Sequence, residues 1–280
     1  MDAFEEHRPR LEAVAYRMLG SFADAEDAVQ ETWLRYSRSS PSEVDNLAAW
    51  LTTVVSRVCL NVLRSRERRR EALGVSVPDP VVSGPDEDVA VADAVGLALM
   101  VVLDALTPAE RVAFVLHDLF AVPFEEIAGL VDRSPAAVRQ SASRARRRVR
   151  ASAPAPDASR AEQREVVDAF FAAAREGSIE GLLAVLDPSV VLRSDAGAGA
   201  PLSVVLDGAS AVARQAALWG SLSPLARPAL VNGVPGVVVV GPRGPLSVMG
   251  FSVVGGRISA IDVIADATRL AALDLSAVGA

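Results

Sequence analysis

The residues best suited to chemistry lie in one basic stretch, residues 134–150 (SPAAVRQSASRARRRVR). Arg139, Gln140 and Ser143 are spaced one and three or four residues apart, so on a helix they share one exposed face. Arg bonds guanine bidentately, Gln bonds adenine in the same way, and Ser bonds either base. Three later arginines on the same helix are better placed to hold backbone phosphates: Arg144, Arg147 and Arg148. The stretch predicts a DNA-reading helix, although a solvated basic helix on any α-helical protein has a similar composition.

The elements before this stretch are those that a DNA-reading helix needs. Residues 107–110 (TPAE) form a capping box with proline at the first helical position, which predicts a helix start. Pro123 opens a short helix, residues 132–135 form a tight turn, and the basic helix follows from Ala136. A short helix, a turn of about four residues and a second, basic helix describe a helix-turn-helix, whose second helix enters the major groove.

A second basic patch lies at residues 57–71, with six Arg against two Glu. Arg57, Asn61 and Arg64 follow one face of a predicted helix at i, i+4 and i+7, and the patch is a second anchoring point for a polyanion. Trp50, near the start of the same helix, has two possible roles: it stacks on an unpaired base, or it packs in the core.

Residues 24–36 (DAEDAVQETWLRY) predict a helix with acids on one side and Val29, Trp33 and Leu34 on another. Taken alone, this pattern fits an ordinary surface helix.

The composition excludes several classes of protein. A single cysteine, Cys59, excludes a disulfide framework and a thiolate metal cage, and two histidines make a histidine-rich metal site improbable, so no cofactor or metal is expected. No apolar run approaches the roughly 18 residues of a membrane span, and the charged N-terminus does not fit a secretory signal. A soluble cytoplasmic protein is expected. The net charge of −7 does not exclude a nucleic-acid partner, because all basic residues are Arg and they are clustered.

The composition also divides the chain into three domains and two linkers. Helical periodicity predicts all-α domains at residues 1–73 and 89–152, with the Pro-, Gly- and acid-rich residues 74–88 as a linker between them. Residues 153–160 form a second linker, and residues 161–280 combine helices with later β-rich runs. The predicted fold is therefore multidomain: a helical bundle, a helix-turn-helix domain, and an α+β domain with a curved sheet.

Three segments of the chain resemble the extracytoplasmic-function (ECF) class of sigma-70 type RNA polymerase sigma factors. Residues 24–36 resemble region 2.2, residues 47–70 resemble regions 2.3 and 2.4, and residues 106–150 resemble region 4. The resemblance covers most of residues 1–152. It implies that region 4 reads the −35 promoter element and also contacts the polymerase β flap. It further implies that Trp50, Arg57, Asn61 and Arg64 contact the −10 element. It implies that five residues of the first segment contact the β′ clamp helices of core RNA polymerase: Asp24, Asp27, Gln30, Glu31 and Trp33.

Residues from about 161 to 274 resemble the SnoaL-like cone that one ECF group carries as a C-terminal extension. That group has a DGGGK-like motif, which reads DAGAG at residues 195–199 here, and an NPDKL-like motif, which reads ADATRL at residues 265–270. A WLPEP-like linker motif is reduced to SVPDP at residues 76–80. The resemblance implies an intramolecular regulator that makes a separate anti-sigma factor unnecessary. The predicted regulatory contacts are Asp195, Gly197, Gly199, Asp266, Arg269 and Leu270.

The alternative is a SnoaL-like enzyme or ligand sensor fused to a DNA-binding module. Residues 161–280 contain no His, Cys or Tyr, so the general bases available to an enzyme are Asp195, Asp207, Asp262 and Asp266. These aspartates fit strand ends and turns equally well. Residues 24–36 distinguish the alternatives, because a DNA-binding module alone has no use for a polymerase-binding helix.

Overall fold

A computed structural model describes residues 3–39, 46–73, 77–87, 103, 106–152, 159–197 and 200–279. The chain forms two compact units, Met1–Ala72 with Met100–Ser152, and Leu73–Leu99 with Ala153–Ala280. The first unit holds the basic stretches, and the second holds the sheet.

The first unit begins with three helices, α1 (Arg8–Leu19), α2 (Phe22–Arg38) and α3 (Leu47–Leu73). One face of α1, which includes Leu11, Val14 and Met18, is buried. Asp24 is of a residue type that caps helices, but the N-cap of α2 is Ser21. Ser21 has an extended backbone, and its hydroxyl accepts a hydrogen bond from the Asp24 amide at 3.4 Å.

Helix α3 differs from the sequence expectation in one respect. Its segment Leu47–Arg66 is long and apolar enough to cross a membrane by length and composition alone. Half of that segment is buried inside the protein, as in the core helix of a globular domain.

Three further helices of the first unit are α4 (Pro108–Phe114), α5 (Phe124–Val131) and α6 (Pro135–Ser152). The capping box that starts α4 is present, with Thr107 and Glu110 bonded reciprocally. A π-helical turn, Val115–Leu119, extends α4. His117 in this turn stacks on Phe124 and bonds the Val122 carbonyl at 3.0 Å, so it has a structural role. Of the first part of the predicted all-α domain 89–152, residues 89–102 and 104–105 lie outside the described residues.

The second unit contains the expected α+β domain. Its helices are α7 (Arg160–Glu176), α8 (Ile179–Val185), α9 (Ala209–Leu218) and α10 (Ala267–Ala272). The strands are β1 (Val82–Ser83), β2 (Leu186–Asp195), β3 (Val204–Asp207), β4 (Ala226–Val231), β5 (Val234–Gly241), β6 (Gly244–Val254) and β7 (Arg257–Ile264). They form one sheet in the order β1-β4-β5-β6-β7-β2-β3, in which β2 and β7 are parallel and the other neighbours antiparallel. Side chains from α7, α8 and α9 pack on one face of this sheet, around Phe170, Leu182 and Val212.

Part of the predicted linker 74–88 is ordered against the C-terminal domain. Val82 and Ser83 pair with Val231 and Leu230 of β4, so the segment adds an edge strand to the sheet. Val77, Pro78, Asp79 and Pro80 are buried. The composition alone predicts a solvated linker. It shows neither the sheet edge that pairs with this segment nor the basic side chain that binds its acidic residue. Residues 74–76 and 88, with residues 153–158 of the second linker, lie outside the described residues.

Candidate promoter, polymerase and linker contact sites

Helix α6 presents all six predicted −35 residues on its solvent side. Its opposite face packs into the first unit through Val138, Ala142 and Ala145, which are fully or almost fully buried. Asp132 ends α5 in the left-handed region (φ 55°), so the chain turns sharply before α6. The exposed side chains are Arg139, Gln140, Ser143, Arg144, Arg147 and Arg148. A helix anchored on one face and basic on the other has the form that major-groove binding requires.

Arg139 is held by the preceding helix. Its Nη2 donates a hydrogen bond to the Glu125 carboxylate at 2.7 Å, and its guanidinium lies 5.5 Å from the centre of the Phe124 ring. Both side chains of the ion pair are more than half exposed, so the pair itself contributes little to stability. Its effect is to orient Arg139 outward. Glu125 is therefore a functional candidate that the sequence pattern did not indicate.

The arginines at the C-terminal end of α6 divide into two kinds. Arg148 pairs with the nearly buried Glu110 at 2.9 Å, and Arg146 pairs with Asp118 at 2.6 Å. These pairs fasten α6 to α4 and to the π-helical turn. Within the described residues, Arg144 and Arg147 make no ion pair, so they are the cations most available to phosphates.

The predicted −10 residues also lie on one helix face. Arg57, Asn61 and Arg64 are exposed along α3, while Trp50 is half-buried near its start. Cys59, which lies between Arg57 and Asn61 in the sequence, is fully buried. Burial raises the pKa of its thiol to about 12, so it is an inert core residue.

The predicted polymerase-binding residues of α2 have different environments. Asp27, Gln30 and Trp33 are exposed, with Trp33 at 39%. Glu31 pairs along the helix with Arg35 at 3.1 Å.

Asp24, the fifth predicted residue, forms a close ion pair with Arg66 of α3. Arg66 also donates to the Leu19 carbonyl at 2.6 Å, so this arginine joins all three helices. Asp24 thus has a structural partner in addition to its predicted role.

The first unit contains a contact between its two helical regions that the sequence did not indicate. Arg10 of α1 donates a hydrogen bond to the Phe120 carbonyl at 3.4 Å. The guanidinium groups of Arg10 and Arg17 lie 6.0 and 5.9 Å from the centre of the Phe120 ring. Beside this contact, a cavity of about 280 Å³ separates Thr52 and Ser56 of α3 from the segment that follows α4.

In the second unit, Arg269 of α10 joins the linker to the C-terminal domain. It donates to the Asp79 carboxylate at 2.7 Å through Nε, to the Asp195 carboxylate at 2.6 Å through Nη1, and to the Val77 carbonyl. The Asp195 carboxylate also accepts from the Val77 amide at 3.3 Å. We call the set of Val77, Asp79, Asp195 and Arg269 the linker clamp.

Asp266 sets the position of Arg269 in the clamp. Its carboxylate caps α10 by accepting from the Thr268 and Arg269 amides at 2.8 and 2.9 Å. The carboxylate also lies against Gly197, where an added Cβ would meet it at 2.4 Å. Of the other predicted regulatory residues, Leu270 is buried in α10, and Gly199 lies outside the described residues.

The two motifs at residues 195–199 and 265–270 are therefore adjacent in space, and the linker contacts both. Among the described residues, no group of three or more His, Cys, Asp or Glu side chains is arranged to hold a metal ion.

Comparison with known proteins identifies the family. The family model for sigma-70 region 2 matches residues 3–69, and that for sigma-70 region 4 matches residues 96–149. The chain is 42% identical over 277 residues to the ECF RNA polymerase sigma factor SigJ of Mycobacterium tuberculosis, an alignment that covers 93% of this chain and 86% of SigJ. The chain belongs to the ECF family of RNA polymerase sigma factors. As a sigma factor, it binds core RNA polymerase and promoter DNA and acts in transcription initiation.

A further relative and a solved structure agree with this sigma-factor assignment over nearly the whole chain. The probable ECF sigma factor SigI of M. tuberculosis is 34% identical over 280 residues, covering 96% of this chain and 93% of SigI. The crystal structure of M. tuberculosis SigJ superposes with a TM-score of 0.73 at 37% identity, covering 97% of this chain and 98% of SigJ. The likeness thus includes the C-terminal α+β domain as well as the sigma regions.

Proposed function

We propose that this sigma factor is regulated by its own C-terminal domain, which holds the segment that joins the two promoter-reading regions. The linker clamp carries the proposal. Its three charged side chains are largely buried, with exposures of 7% for Asp79, 10% for Asp195 and 23% for Arg269. A network this well bonded fixes the path of the linker, because freeing one partner leaves a buried charge unpaired.

Fixing the linker limits what regions 2 and 4 can do. A sigma factor must place region 2 on the −10 element and region 4 on the −35 element at the same time, so the linker must adapt to that span. In the first unit, Arg10 and Arg17 contact Phe120, so the two regions touch each other. We propose that this arrangement is the resting state and that release of the clamp permits the promoter-bound state. A built-in regulator of this kind acts at high local concentration and makes a separate anti-sigma factor unnecessary.

We propose the domain borders given by the sequence: region 2 at residues 1–73, region 4 at 89–152, and the regulatory domain at 161–280, with linkers at 74–88 and 153–160. We further propose that α6 reads the −35 element through Arg139, Gln140 and Ser143, with Arg144, Arg147 and Arg148 on phosphates. The face of α3 that carries Trp50, Arg57, Asn61 and Arg64 contacts the −10 element. The exposed side chains of α2 dock on the β′ clamp helices, and region 4 contacts the β flap. Because polymerase and promoter DNA are cytoplasmic, the chain acts there and not at a membrane.

The enzyme alternative finds no support in the C-terminal domain. Asp195 is committed to Arg269, Asp266 caps α10, and Asp262 pairs with Arg193 at 2.9 Å. Asp207 is exposed at the end of β3. A cavity in the domain has no Asp, Glu, His, Arg, Cys or Tyr among the described residues that line it. With no general acid or base facing the cavity, we propose that the domain is not catalytic.

Run-off transcription with core RNA polymerase tests the regulatory proposal. The intact chain is compared with a chain ending at residue 154 and with one lacking residues 269–280, which loses Arg269 but keeps the sheet. We expect both truncations to change transcription severalfold relative to the intact chain. Equal transcription from all three chains would show that the C-terminal domain does not regulate.

A pull-down with core polymerase tests the docking proposal separately. Asp27→Arg or Glu31→Arg should abolish binding while circular dichroism shows unchanged helicity, because each reverses the charge of the α2 face. Glu12→Arg on α1 is a matched charge reversal outside the proposed face and should still bind. Unchanged binding of both α2 variants would refute the assignment.

A further inference from the structure

The C-terminal domain contains a cavity of about 340 Å³ that belongs to none of the sites above. It lies between α7, α9 and the helix-covered face of the sheet. Its walls are mainly apolar, from side chains such as Phe170, Leu192, Val239 and Met249. A volume above about 300 Å³ with mostly apolar walls is the usual form of a small-molecule site.

The polar groups of the cavity are few and uncharged. Ser194, Gln215, Ser223 and Ser247 line it, and within the described residues their side chains make no hydrogen bond. These groups can orient a bound molecule through one or two hydrogen bonds. Since no charged side chain among the described residues lines the walls, an ionic ligand would lose its hydration without gaining a partner.

The mouth of the cavity exposes large apolar side chains. Leu202, Trp219 and Leu246 line the cavity and remain 42%, 45% and 42% exposed. A ligand seated between them would remove this apolar area from water, which favours binding.

We propose that this cavity binds a neutral, largely apolar small molecule, and that its occupancy stabilises the linker clamp. The second part rests on the proposed regulatory function. The two sites share backbone, because Ser194 and Ala265 line the cavity while the next residues, Asp195 and Asp266, belong to the clamp or position it. The Ala265 amide also donates to the Asp195 carbonyl at 2.7 Å. A ligand that restricts the motion of Ser194 and Ala265 in the cavity therefore also restricts the motion of Asp195 and Asp266 at the clamp.

Two dyes of nearly equal shape test the ligand class on the full chain. N-phenyl-1-naphthylamine is neutral, and 1-anilinonaphthalene-8-sulfonate is the same aromatic amine with an added sulfonate group. In fluorescence titrations we expect the neutral dye to bind at least about tenfold more tightly. Equal affinity, or preference for the sulfonate, would overturn the neutral-ligand assignment.

Variants locate the binding. Ala216→Phe and Ser247→Phe each fill the cavity and should weaken binding of the neutral dye at least about tenfold. Ser210→Phe, on the same helix as Ala216 but outside the lining, should bind as the wild type does. Circular dichroism checks the fold of each, and Ser247→Phe serves if Ala216→Phe unfolds. Binding that survives both filling variants would place the dye elsewhere and overturn the site.

Hydrogen exchange at the Val77 and Val81 amides tests the coupling. We expect saturation with the neutral dye to slow their exchange at least about fivefold in the wild type, and not in Ser247→Phe. Tight binding with unchanged exchange would overturn the coupling. Failure of the regulatory proposal can be distinguished from failure of the cavity proposal. In that case loss of Arg269 would leave run-off transcription unchanged, while the dye would still bind.

Discussion

Replacing Arg269 by methionine removes the cation of the linker clamp while keeping much of its apolar volume. In the variant, the carboxylates of Asp79 and Asp195 stay largely buried with no cation between them, and the Val77 carbonyl loses a donor. Breaking a buried ion pair in this way costs about 3–5 kcal/mol. Since Arg269 is 23% exposed, water offsets part of the loss, and the lower end of about 3 kcal/mol applies.

This cost acts first on the linker and only then on the domain. Strand β1 has two residues and lies at the sheet edge, so it opens more easily than the strands that form the core. A loss of about 3 kcal/mol raises the open population of the linker roughly a hundredfold. The Val77 amide, bonded to Asp195, and the Val81 amide, bonded to Asn232 at 2.8 Å, report this opening directly.

Native-state hydrogen exchange is the assay. In Arg269→Met we expect the Val77 and Val81 amides to exchange roughly a hundredfold faster, with little change at the Ile261 amide of β7. Arg193→Met is the matched control, because it also breaks an Arg–Asp pair with a buried acid, Asp262, but does not touch the linker. It should destabilise the domain without preferential opening of the linker.

Two results would refute this reasoning. If Arg269→Met leaves the Val77 and Val81 amides as protected as in the wild type, Arg269 does not hold the linker. If Arg193→Met exposes these amides as strongly as Arg269→Met does, the effect is general destabilisation of the domain.

Three other predictions concern separate sites. The buried Cys59 thiol, with its pKa raised to about 12, should not react with iodoacetamide at pH 8 until denaturant is added; rapid alkylation of the native chain would contradict its burial. Gly220→Ala should lower the melting temperature by several degrees in calorimetry, because the new Cβ would lie 2.0 Å from the Ala174 carbonyl oxygen; an unchanged melting temperature would show that the backbone moves easily. In promoter-binding titrations, Gln140→Ala should cost about 1–3 kcal/mol at one base position. Arg144→Ala should instead weaken all sequences and reduce the salt slope by about one; the reverse assignment would exchange their roles.

Features that depend on neighbouring residues could be predicted from the sequence. The capping box at Thr107 follows from local spacing, and the structure has it as expected. The exposed basic face of α6 also follows from the 3.6-residue helical period, because the buried positions, such as Val138 and Ala142, lie on the opposite face of the helix.

The linker clamp could not be predicted in the same detail. Arg269 and Asp79 are 190 positions apart, and neither position differs from an ordinary surface charge in the sequence. The resemblance to an ECF group indicated which segments meet, but only the fold shows that Arg269 bridges two acids. Strands β3 and β4 were missed for a related reason. They are short, and β4 is interrupted by Pro228, which weakens the strand pattern.

The pairing of β1 with β4 also protects the protein from aggregation. Without β1, the outer backbone of β4 at Leu230 and Val231 would be an open sheet edge next to buried apolar residues. Open edges of this kind recruit strands from other molecules and start aggregation. The release proposed above would therefore expose this unpaired edge of β4 whenever the linker is free. A sigma factor built in this way has a physical reason to stay active only briefly, or to cover that edge with another chain while the linker is free.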